Sequence, residues 1–77
     1  MPEEFANVVF KRFTGEIAAR LTKASTLATA AESLSSQGLS GNAYDTLIEV
    51  EPLIFQAKAL LNAASIVRRS DGDDRCD

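Results

Sequence analysis

Apolar residues recur at steps of three and four along most of this chain, and that period commits it to helix. From about Glu3 to Ser36 the stripe reads Phe10, Phe13, Ile17, Leu21, Ala24, Leu27, Ala28, Ala31 and Leu34. From about Gly41 to Arg69 it follows an almost strict heptad: Ala43, Leu47, Val50, Ile54, Ala57, Leu61 and Ala64. Leu53, Leu60 and Val67 widen this second stripe along one edge.

Local signals place the ends. Pro2 suits a helix start, and Glu3 and Glu4 oppose the positive end of the helix dipole. Gly38 is placed to take the left-handed conformation that ends a helix, with Leu39 as the apolar residue after it. Ser40 is expected to cap the next helix, with Leu39 and Tyr44 as a hydrophobic staple. Gly38 and Gly41 together are expected to shape the turn. A turn this short sets its two helices antiparallel. Two positions strain the pattern. Gly15 costs roughly 1 kcal/mol against Ala inside a helix, and Thr14 before it offers a cap for a new one; one continuous helix is expected, with a break near Gly15 as the alternative. Pro52 removes a hydrogen bond from the second helix. The heptad keeps its phase across Pro52, so one bent helix is expected there, with two helices meeting at Glu51–Pro52 as the alternative.

Seventy-seven residues make one domain with a marginal core. The lone Cys76 excludes an internal disulfide, and with no His and one Cys a structural zinc site is not expected. A partner is the remaining route to stability. Phe5, Val9, Phe10, Phe13, Leu27, Leu34, Ile48, Leu53, Phe55 and Leu60 exceed what one two-helix seam can hold. The excess forms a patch that pairing into a four-helix bundle buries. The lone Cys fits a reducing cytosol. No apolar run approaches the ~20 residues of a membrane span, and the start lacks the basic and apolar regions of a signal peptide. Residues 1–69 are thus read as a helical domain. Residues 70–77, SDGDDRCD, are read as a disordered acidic tail.

Charge divides the rod. Between Ala24 and Ala57 there is no Lys or Arg, while Glu32, Asp45, Glu49 and Glu51 all lie there. The turn end is therefore acidic. Lys11, Arg12, Arg20, Lys23, Lys58, Arg68 and Arg69 fall toward the open end. An antiparallel pair of hairpins sets acidic ends beside basic ones, and a parallel pair juxtaposes like charges.

Catalytic chemistry finds little support. A Ser, Thr or Cys nucleophile needs a base, and no His is present. Glu49 and Glu51 point in different directions on a helix, and no glycine loop suited to phosphate appears. The net charge of −3 argues against a general nucleic-acid binder.

Lys11, Arg12 and Asn7 could share one helix face toward RNA. In inferred architecture, though in no motif, the chain resembles the Rop-like RNA-binding plasmid regulators. The turn Leu39-Ser40-Gly41-Asn42-Ala43 resembles the Trp-x-Gly turn of the WXG100 family of secreted helical hairpins. Leu39 stands where that family has Trp, and the family's tail signal, a Tyr followed four residues later by an acid, is absent. Small hairpin co-chaperones of type III secretion share the outline. The acidic turn end also suits an inhibitor that covers a basic site.

The reading that follows is all-α: an antiparallel two-helix hairpin dimerising into a four-helix bundle. It would be a non-catalytic protein–protein interaction module without metal or cofactor. Its expected partner is a second copy or another helical protein; nucleic acid is disfavoured, with the Rop-like RNA regulator, the secreted or type III hairpin and the acidic inhibitor as alternatives, and no membrane is expected. Phe10, Phe13, Ile17, Leu47, Ile54 and Leu61 are expected in the buried seam. Glu32, Asp45, Glu49 and Glu51 are the candidate partner-facing acidic surface.

Overall fold

The computed structural model describes the backbone of residues 3–76 and the side chains of residues 4–69. Among these the chain is almost entirely helical, with no strand: α1 spans Glu3–Ser36, α2 spans Ser40–Ile48 and α3 spans Val50–Cys76.

α1 runs unbroken through Gly15. Thr14 does not start a new helix. Its Oγ1 donates to the Lys11 carbonyl at 3.1 Å, a bond back to the preceding turn that satisfies the hydroxyl inside a helix. Nothing lies within 4 Å of where a Gly15 side chain would begin, so no close approach requires glycine there.

The turn closes as a Schellman motif. Gly38 sits at φ 81°. Its N–H donates to the Ser35 carbonyl at 3.0 Å, and the Leu39 N–H donates to the Leu34 carbonyl at 2.9 Å. The next helix starts differently from the expected form. Leu39, not Ser40, occupies the cap position, and its side chain can make no capping bond. Ser40 already belongs to the helix, because the Ala43 N–H reaches the Leu39 carbonyl at 2.9 Å. The Schellman bonds hold Leu39 so close to both helices that no residue is left over to serve as a polar cap. Gly41 lies inside the first turn of α2 at ordinary negative φ with open space around it, so Gly38 alone demands glycine in the turn.

The second apolar stretch is two helices, interrupted at Glu49 and not at the expected alternative junction Glu51–Pro52; Glu49 keeps helical torsions (φ −69°, ψ −16°) while its N–H donates to the Thr46 carbonyl at 3.1 Å. Pro52 explains the position. It cannot donate to the Ile48 carbonyl, and its ring would collide with that group in a regular helix. With the interruption at Glu49, Pro52 falls in the first turn of α3, where an absent N–H costs nothing.

α1 lies against both α2 and α3, and the whole measures 59 × 18 × 13 Å. The thickness of 13 Å is close to one helix diameter. Each helix therefore has a neighbour on one side only, and the described core is correspondingly small. Its buried residues are Ala6, Ala24, Ala31, Ala43, Ala57 and Ala64, and no large side chain is fully enclosed. Around the alanines Phe10, Phe13, Ile17, Leu27 and Leu34 of α1, with Val50, Leu53, Leu60 and Val67 of α3, are half-buried. α3 continues as helix to Cys76, beyond Arg69 where the tail was expected to begin. The side chains of residues 70–77 lie outside those described.

Candidate functional site

The alanines belong to two overlapping heptads, and the chain uses one. Ala43, Val50, Ala57 and Ala64 are common to both. Toward α1 they are joined by Thr46, Leu53, Leu60 and Val67, which are half-buried. Leu47, Ile54 and Leu61 flank the other side and stay 49%, 54% and 56% exposed. Of the six residues expected in the seam, Phe10, Phe13 and Ile17 are therefore at the seam of the single chain, and Leu47, Ile54 and Leu61 are not. One neighbouring helix can cover only one flank of a stripe this wide. Thr46 is tolerated inside because its Oγ1 donates to the Asn42 carbonyl at 3.0 Å.

The uncovered flank forms a continuous apolar surface. Near the turn, Ala28 and Ala31 of α1 and Ala43, Tyr44 and Leu47 of α2 line a shallow groove edged by Glu32. Leu47 also begins a second groove with Val50, Ile54 and Phe55, edged by Glu51 and Lys58. Phe55, 72% exposed, also lines a third depression with Ile48, Pro52 and Gln56, which turns away from this flank toward the Arg20–Gln56 side. Full burial of a side chain such as Leu47 or Ile54 is worth roughly 1.5–3 kcal/mol, so this surface holds a large unused hydrophobic potential.

The opposite flank is polar and internally bonded. Arg20 Nε donates to Gln56 Oε1 at 3.0 Å, joining α1 to α3. The Arg20 guanidinium also donates to the Glu16 carbonyl at 3.1 Å and pairs with the Glu16 carboxylate, which Arg12 approaches at 4.0 Å. The hydrogen bond from Arg20, then its charge, hold the Glu16 carboxyl below its ordinary pKa. Slight desolvation opposes this, and Arg12 adds to the lowering.

The four acidic residues proposed as one surface are all exposed, but the fold divides them. Glu32 and Glu51 edge the apolar grooves. Asp45 and Glu49 edge none of the three grooves described. Glu49 and Glu51 are two steps apart, about 200° around a helix. Lys58, absent from the expected surface, shares a groove with Glu51. Its signal was present in the sequence as opposite charges in the same heptad position beside the apolar stripe.

Among the described residues no group of three or more His, Cys, Asp or Glu side chains could hold a metal ion. Taken across Glu49, the segment Ser40–Arg69 is long and apolar enough in composition to cross a membrane. A helix with one broad apolar face for a protein partner meets the same measure. Compared with known proteins, the chain matches no family model, no characterised protein and no solved structure at a significant level.

Proposed function

We propose that this chain is a cytoplasmic, non-catalytic protein–protein interaction module, an antiparallel helical hairpin that self-associates into a four-helix bundle and serves an assembly, adaptor or chaperone-like role. One observation carries the reading. Leu47, Ile54 and Leu61 remain about half exposed along one flank, while the buried side chains are no larger than alanine. A second layer of helices is what such a flank requires.

The test is the solution mass of the purified chain by light scattering across a range of concentrations. A dimer is expected. A well-folded monomer at every concentration would sink self-association, and a poorly folded monomer would point to a different protein as the obligatory partner.

A further inference from the structure

Self-association leaves open which flank pairs and in which direction, and the charges beside the grooves bear on both. Resting on the reading above, we infer that the Leu47–Ile54–Leu61 flank meets the same flank of a second copy turned end over end, with α3 against the partner's α3. The centre of this contact falls between Ile54 and Phe55.

Glu51 and Lys58 border the same groove on either side of Ile54 and Phe55. They are two helical turns apart, about 10.5 Å, and both are exposed. A twofold axis midway between them brings Glu51 of each copy opposite Lys58 of the other. Two reciprocal ion pairs then bracket a centre of Ile54 and Phe55, side chains 54% and 72% exposed in the single chain. Leu21 of α1 is 48% exposed. The Arg20–Gln56 bond places it near the level of Ile54 and Phe55, so it approaches its own counterpart close to the same axis.

The alternative arrangement keeps both turns at one end. It sets Glu32 and Glu51 of both copies, the acidic side chains that edge the grooves, at the same end, in a stretch of sequence from Ala24 to Ala57 that holds no Lys or Arg. The end-over-end arrangement sets that acidic half beside the half bearing Lys11, Arg12 and Lys58. Rim charges of this kind choose orientation more than they add affinity. The polar flank is a poor rival surface, because Arg20, Glu16 and Gln56 already satisfy one another there.

Two measurements test direction and face together. In a Cys76→Ser background, a spin label at Ser40→Cys reports the distance between the two turns. The end-over-end dimer expects a separation of about 45 Å, from 1.5 Å per residue on either side of the axis. Turns at one end place the labels within about 20 Å. Separately, Glu51→Lys makes two attractive contacts repulsive and is expected to weaken dimerisation roughly tenfold. Adding Lys58→Glu to it should restore most of the loss. A short label distance, or a Glu51→Lys chain that dimerises like the parent, overturns this face and direction even if the dimer stands. A parent chain that stays monomeric in light scattering overturns self-association itself.

Discussion

Arg20 of α1 donates from Nε to Oε1 of Gln56 on α3 at 3.0 Å, a polar tie between the helices on the flank opposite the apolar one. Arg20 is held in place by Glu16 one turn earlier, so the tie is a chain of three residues and not an isolated contact. We expect a double-mutant cycle of Arg20→Ala and Gln56→Ala to give a coupling of about 0.5–1 kcal/mol, modest because the bond is exposed. Strict additivity in chemical denaturation would show that the bond contributes nothing in solution.

The same cluster makes stability depend on pH. Arg20 lowers the Glu16 pKa in the folded chain. A carboxyl lowered by folding contributes above its unfolded pKa, and that contribution disappears as pH falls through the folded value. Stability should therefore decline on acidification through and below the usual carboxylate range. Glu16→Gln should flatten that part of the profile. An unchanged pH dependence of the melting temperature in Glu16→Gln would count against the pair.

The glycines should respond in opposite directions. Gly38 is at φ 81°, so Gly38→Ala should destabilise by about 1 kcal/mol or more. Gly15 and Gly41 lie within helices and have open space where a Cβ would stand. Gly15→Ala and Gly41→Ala should each stabilise by about 0.5–1 kcal/mol. Thermal melts of the three variants decide the matter, and a stabilised Gly38→Ala chain would contradict the Schellman turn.

The two flanks of α3 should separate folding from association. Leu53→Ala and Leu60→Ala remove side chains half-buried against α1 and should lower the stability of the single chain by about 1–2 kcal/mol, less than a fully buried leucine would. Ile54→Ser and Leu61→Ser change residues more than half exposed in that chain. Under the proposed self-association they should raise the dissociation constant and leave helix content at high concentration nearly unchanged. Circular dichroism paired with sedimentation distinguishes the two outcomes.

The alanine seam should resist enlargement. Ala57 is 8% exposed and faces α1 where no larger side chain is enclosed. Ala57→Leu is expected to cost about 1–3 kcal/mol by forcing the helices apart. A neutral result would mean that the helices stand farther apart than the buried alanines imply.

Much of this was legible in the residues. The helical period, the left-handed Gly38 after α1 and an interruption ahead of Pro52, though at Glu49 and not at Glu51–Pro52, depend on neighbours a few positions away. Steric and hydrogen-bond rules at that range hold whatever the rest of the chain does. Ser40 does not cap α2 and Gly41 lies inside it, for a local reason. The Schellman bonds consume Gly38 and Leu39, so α2 begins one residue earlier than a polar cap would require.

Which side of the Ala43–Val50–Ala57–Ala64 line turns inward was decided only by tertiary structure. Thr46–Leu53–Leu60 and Leu47–Ile54–Leu61 are both heptads on the same helix, and a periodic pattern has no means of ranking them. The choice comes from where α1 lies once the turn has closed, and it fixes the rest. Arg20 meets Gln56 on one flank, while Glu51, Lys58 and the uncovered leucine and isoleucine side chains are left on the other. By itself the sequence determined that these helices carry more apolar surface than two can bury. The packed chain decided where the surplus lies, because burial by a single neighbour is necessarily one-sided.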